Sequence, residues 1–271
     1  MADLGLPPAS DLADTAAAKL RLIRTSGIGP VTYAQLLARF GSAAAAIEAL
    51  PMLARRGGGR APKLADPRAV DAEMARVAKL GARYLFLGDR DYPPLLAELD
   101  DAPPVLIVRG DLSLAARSCL AIVGARNASA AACRFARELA LGLGEAGATV
   151  VSGLARGIDT AAHVGSLPTG TAGVIASGID VVFPPENAEL QERVAQEGLL
   201  VAEQPPGTEP RARNFPSRNR IIAGLWPARS SWKPRPGPGR SSPPAWRSRR
   251  DARSWRCPAL RSTPARKGAT S

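Results

Sequence analysis

Three turns in this sequence combine glycine with arginine or polar caps, a pairing suited to holding an anion such as a phosphate. The first is Ala121-Ile122-Val123-Gly124-Ala125-Arg126-Asn127-Ala128-Ser129. An apolar strand runs into Gly124, which lets a ligand approach the backbone. Ser129 is placed to cap the Ala-rich helix that follows, the helix start offers free N–H groups, and Arg126 can fork onto a phosphate. An ordinary strand-to-helix turn with a surface arginine fits the same residues. The second turn is Ser152-Gly153-Leu154-Ala155-Arg156-Gly157-Ile158-Asp159, again a buried strand ending in glycine, with Asp159 at a helix start. For Asp159 a capping role is favoured over acid–base work. The third is Asn214-Phe215-Pro216-Ser217-Arg218-Asn219-Arg220, leading into the apolar run Ile221 to Leu225. Two guanidiniums and an amide there can face a polyanion at a helix entrance, or form a salt-bridged surface loop. His163 is the single histidine, so a paired-histidine metal site is excluded and a packing role is expected. Cys119, Cys133 and Cys257 lack ligand spacing, and neither a metal nor a cofactor is expected.

These turns need a scaffold, and the pattern supplies one. Short apolar runs at Arg83–Leu87, Val105–Arg109, Cys119–Val123, Thr149–Ser152, Ala172–Ala176 and Leu199–Ala202 alternate with helical stretches such as Ala130–Glu145 and Gly157–Gly165. Strands buried on both faces and separated by helices predict an α/β fold with a Rossmann-like, mostly parallel sheet. If the strands are parallel, both glycine turns open at one carboxyl edge, where such sheets bind ligands. From Asp14 to Leu53 the texture is helical, broken at Thr25-Ser26-Gly27-Ile28-Gly29-Pro30. That turn is similar to a helix-hairpin-helix, whose backbone amides can meet DNA phosphates, although a plain turn in a small bundle fits better. Arg55–Lys63 reads as a linker and a helix is expected near Asp71–Leu80. The division expected is a helical domain over 1–70, the Rossmann-like domain over 71–225 and a basic tail over 226–271.

Charge is concentrated in that tail. Its residues include ten Arg, two Lys and one Asp, a net of +11, so the first 225 carry only +1 of the chain's +12. A basic surface spread over the folded part is therefore excluded. With all four Trp, eight Pro and Leu260 as its one aliphatic core former, the tail is expected to be disordered. No basic leader and no long uncharged apolar run is present, which reads as a soluble cytoplasmic protein without membrane attachment.

Taken in order, Val123-Gly124-Ala125-Arg126, Ser152 to Asp159 with Ala162-His163, Ser177-Gly178-Ile179-Asp180 leading to Phe183-Pro184-Pro185-Glu186-Asn187, and Phe215 to Ile222 resemble the DNA-processing protein A (DprA/Smf) family. The resemblance runs from about Leu20 to Leu225. It implies a non-enzymatic protein that binds single-stranded DNA and loads the RecA recombinase during natural transformation, as a homodimer in the family's intact members. By position in the motifs, Gly124, Arg126, Ser129, Gly153, Gly157, Arg218 and Arg220 are the candidate DNA-contacting residues, with Asp159 and Asn219 positioning them. A Rossmann-type nucleotide-processing enzyme, such as a nucleoside-monophosphate phosphoribohydrolase, is the alternative. It would need a paired glutamate and a Gly-Gly-x-Gly-Thr loop, and neither is found.

The resemblance stops at Leu225, where the family continues with a hydrophobic-Glu-Ala strand. Trp232-Lys233-Pro234 must be encoded TGG-AAR-CCN, and reading one base upstream gives a Val, Leu or Met, then Glu, then Ala or Thr. The same shift over Arg261–Lys267 allows Pro-Leu-Asp-Pro-Arg-Ala-Gln, again like the family. Residues 226–271 are thus expected to be a frameshift product, the rival being a natural basic tail that adds DNA affinity.

Overall fold

The computed structural model describes residues 15–56 and 62–225. The middle of the expected linker and the whole of the expected tail, with its out-of-frame reading, lie outside the described residues.

The chain begins with three helices, α1 (Ala16–Arg24), α2 (Pro30–Phe40) and α3 (Ala43–Arg56). Thr15 caps α1 by accepting the Ala18 amide, Pro30 opens α2, and Gly41, at φ +78°, ends it. Leu22, Tyr33, Leu36, Ile47 and Leu50 close their shared core. Helix α4 (Pro67–Lys79) starts earlier than the apolar spacing predicts, because Asp66 caps it through the Arg68 amide and Pro67 suits its first turn.

All six expected strands form: β1 (Arg83–Phe86), β2 (Val105–Gly110), β3 (Cys119–Ala121), β4 (Thr149–Ser152), β5 (Thr171–Gly178) and β6 (Leu199–Gln204). They make one sheet in the order β1-β2-β6-β5-β4-β3. Strands β3 to β6 are mutually parallel, whereas β2 lies antiparallel to both β6 and β1. The segment joining β1 to β2 holds one short helix, α5 (Pro94–Ala97), and returns the chain antiparallel rather than crossing the sheet.

The parallel strands follow one another across the sheet, so their crossover helices α6 (Ala130–Glu145), α7 (Ile158–Ser166) and α8 (Ala188–Glu197) share one face. Period-two burial shows the two faces directly. Ile107, Ile175, Leu200 and Ala202 pack with Leu190 and Val194 of α8, and Val150 packs with Ala140 and Ala162. Their neighbours Leu106, Val108, Val174 and Val201 pack on the other face. There they meet Ile221, Ile222 and Leu225 of the last helix, α9 (Asn214–Leu225). The carboxyl ends of β3, β4 and β5 therefore open side by side, with the start of α9 beside them. No single helix among the described residues is long and apolar enough to cross a membrane.

Candidate functional site

The turns after β3 and β4 are docked on each other. Gly157 sits at φ +75°, and a Cβ there would lie 2.3 Å from the Ala125 carbonyl oxygen. The Ile158 amide donates to that same oxygen at 3.3 Å. Gly124 leaves room for the Ile158 side chain, which a Cβ would approach at 2.7 Å. Behind both turns lies Asp159, buried at the first turn of α7. Its Oδ1 accepts the Gly124 amide at 3.3 Å and its Oδ2 the Gly153 amide at 3.2 Å. Burial pushes the Asp159 carboxyl above the usual carboxylate range, while the Arg218 charge and the amides of Gly124, Ala155 and Gly153 oppose that shift. The carboxylate thus occupies two amides that would otherwise face an anion.

The positive charge comes instead from side chains. Arg218, only 7 % exposed, reaches from α9 under the β4 turn, and its Nη1 donates to the Val174 carbonyl at 3.3 Å. A Cβ on Gly153 would fall 1.3 Å from that Nη1, so glycine is what admits the guanidinium. Among the described residues the Arg218 Nε has no hydrogen-bond partner. Burial holds the Arg218 pKa below the ordinary arginine value, with Asp159 opposing and Arg126 adding to the shift. The guanidinium carbons of Arg126 and Arg218 lie 5.5 and 6.0 Å from the centroid of the Phe215 ring, so one aromatic face or edge serves two cations. Phe183, 42 % exposed, meets Phe215 edge-on at 6.1 Å. Arg126, Gly153, Arg156, Phe183, Phe215 and Arg218 are among the residues around a pocket of about 360 Å³ at this sheet edge. None of the described residues lining it is Asp, Glu or His.

Of the residues singled out from the sequence, Arg126, Gly153 and Arg218 line the pocket, while Gly124, Gly157 and Asp159 form the framework behind it. Ser129 caps α6, its Oγ accepting the Ala132 amide at 3.2 Å, and does not line the pocket. Asn219 is exposed and also outside it. Arg220 points elsewhere: it pairs with Glu203 at 2.5 Å and Asp101 at 3.4 Å. The reason is helical geometry, since residues two apart project on opposite sides and the triplet lies inside α9 rather than before it. Arg220 borders a second cavity of about 330 Å³, whose wall includes Arg24, Glu203 and the Ile28-Gly29-Pro30 turn. The hairpin between α1 and α2 therefore faces a mixed acidic and basic cleft.

Phe183, Phe215, Arg156 and Asn214 lie in the motifs read from the sequence but are not among its candidate DNA-contacting residues. Asn214 anchors the start of α9 by donating from Nδ2 to the Ala176 carbonyl at 3.1 Å. The readable signal for Phe215 was its place three residues before Arg218, one helical turn away. His163 is fully buried below the β4 turn, with Nδ1 2.7 Å from the Thr171 hydroxyl.

Comparison with known proteins agrees with this architecture. The DprA-like N-terminal HHH domain matches residues 13–75, and the DNA recombination-mediator protein A family matches residues 83–229. The chain is 42 % identical over 149 residues to Protein Smf of Synechocystis sp., covering 53 % of this chain and 37 % of that protein. It is 42 % identical over 157 residues to the DNA processing protein DprA of Streptococcus pneumoniae, covering 57 % of this chain and 55 % of that one. The X-ray structure of Streptococcus pneumoniae DprA superposes with a TM-score of 0.64 at 28 % identity, over 79 % of this chain and 76 % of that chain. The chain thus spans about half, or less, of the length of these curated relatives. With the family matched across more than half of its 271 residues, over the sheet and helix that build the pocket, the chain belongs to the DNA recombination-mediator protein A (DprA/Smf) family.

Proposed function

We propose that this chain binds single-stranded DNA in the pocket at the carboxyl ends of β3 to β5, without a chemical step or a cofactor. The observation that carries the reading is the buried Arg218 guanidinium, whose Nε lacks a partner among the described residues, set beside Arg126 around the Phe215 ring. Cations meet a phosphate, and the exposed Phe183 ring with the half-buried Phe215 offers a base somewhere to stack, a combination indifferent to sequence. The first 225 residues carry only +1, so within them this local arrangement, rather than net charge, is what attracts the strand. Family membership supports a role as a recombination mediator that helps load the RecA recombinase on DNA during natural transformation, in the cytoplasm and as a homodimer. An enzymatic reading has no Asp, Glu or His among the described pocket-lining residues to support it.

The test is the affinity of the 271-residue chain for a fluorescent oligothymidine across a salt series. Arg126→Ala and Arg218→Ala should each weaken binding by about tenfold or more, the worth of a charge-assisted hydrogen bond. Each should also flatten the dependence of log K on log salt by about 0.7, one phosphate contact on a single strand. Arg218→Lys keeps the charge and controls for loss of fold. Unchanged affinity in both alanine variants sinks the assignment.

A further inference from the structure

On that reading of the pocket, its affinity depends on which of its arginines a strand can reach. Three arginines line the pocket, and they are not equally available. Arg156 lies on the turn between β4 and α7, and its Nη2 donates to Glu186 Oε1 in an ion pair exposed on both sides. Exposed pairs are ordinarily incidental, because two long side chains lose freedom for little gain. Here the backbones of the partners are locked together. Glu186 sits in the 3-10 turn Pro185–Asn187, and buried Asn187 ties that turn to the segment preceding Arg156. Its Nδ2 donates to the Leu154 carbonyl at 2.8 Å and reaches the Thr160 hydroxyl at 3.0 Å. Leu154 itself holds a left-handed backbone at φ +56° with its side chain fully buried, a conformation that only a well-determined surrounding maintains. Asn187 and Leu154 together fix where Glu186 stands relative to Arg156.

We propose that Glu186 is a built-in competitor for the DNA phosphate: it holds Arg156 at the pocket rim in the free protein and yields it when a strand enters. Glu186 is then a specificity-determining residue that lowers affinity and softens its salt dependence, so that contact with a short or stray anion does not occupy the third arginine.

A double-mutant cycle on binding of the oligothymidine tests it. Glu186→Gln should bind about two- to fivefold more tightly, the ratio that corresponds to an exposed ion pair. Its salt slope should steepen by up to about 0.7. In an Arg156→Ala background the same substitution should give a distinctly smaller gain and no change of slope, since no arginine remains to be released. An equal gain in both backgrounds means plain charge repulsion and overturns the proposal, as does no gain in either. Wild-type chain that binds no oligothymidine overturns the reading of the pocket and this inference with it. Wild-type binding with an inert Glu186→Gln overturns the inference alone.

Discussion

Asp159 and His163 lie one helical turn apart on α7, and both carry titratable groups into the interior. Asp159 holds the Gly124 and Gly153 turns together, and the Arg218 charge favours its ionised form. His163 is buried neutral: burial pushes its imidazole down to about 3, with the Ser152 backbone opposing and Arg218 reinforcing the shift. A histidine whose folded pKa is depressed contributes stability that is complete above its unfolded value of about 6.5 and is lost as pH falls toward the folded value. The raised carboxyls of Asp159 and Glu203 act in the opposite sense, since their contribution is lost as pH rises through their folded values. The readout is therefore the difference between wild type and His163→Gln, not the wild-type curve alone. Urea unfolding from pH 7 to pH 4 should show wild type losing stability more steeply, by up to one proton or about 1.4 kcal/mol per pH unit. Because the chain has no other histidine, parallel pH curves would mean that the imidazole is not held neutral by the fold.

At the scale of elements, α9 and the β4 turn form one unit, because Gly153 and Arg218 interlock. Gly153→Ala places a methyl group on the guanidinium, so either Arg218 is expelled or the turn shifts. The expected result is a stability loss of about 1–3 kcal/mol, as for an overpacked core, and oligothymidine affinity reduced nearly to that of Arg218→Ala. Gly142→Ala is the control: it lies in α6 facing open space and should stabilise by about 0.5–1 kcal/mol without changing affinity. Wild-type affinity in Gly153→Ala would separate the turn from the site. This unit was half legible in the sequence. The strands could be read because apolar runs such as Thr149–Ser152 end in glycine, and the fold class followed from their alternation with helices. The facing of the Arg218-Asn219-Arg220 triplet could not be read without knowing that α9 begins at Asn214, four residues earlier. Phe183 stands in a motif that carries the family resemblance, yet its place at the site could not be read, because it sits in a loop without periodicity and only the folding back of 180–187 brings it to Phe215. The antiparallel placing of β2 against β6 likewise depends on pairing between distant segments, about which local apolar pattern says nothing.

Across the described part of the molecule, the helices at the amino end are tied to the sheet by charge. Arg24 binds Glu73 bidentately at 3.0 and 2.8 Å, Tyr84 donates to the same carboxylate, and Arg76 reaches Asp180. Arg220 belongs to this system, holding the largely buried Glu203 with two hydrogen bonds on the side of α9 away from the pocket. The same helix thus presents Arg218 to a pocket with no acid among its described lining residues, and Arg220 to a cleft whose lining acids already pair with it. That division bears on which surface meets DNA, because Gly29 and Pro30 of the α1–α2 hairpin border the second cavity together with Glu203 and Asp101. A phosphate arriving there would meet the carboxylates of Glu203 and Asp101, both already paired with Arg220. Arg220→Ala should then cost about 1–3 kcal/mol, the penalty of leaving a buried carboxylate without its partner. Oligothymidine affinity should stay within about twofold of wild type and the salt slope should not change, in contrast to Arg126→Ala. Thermal unfolding and the salt series on one preparation decide between the two cavities. A folded Arg220→Ala that loses affinity and a phosphate's worth of slope would move the DNA path across α9 into the cleft beside the hairpin.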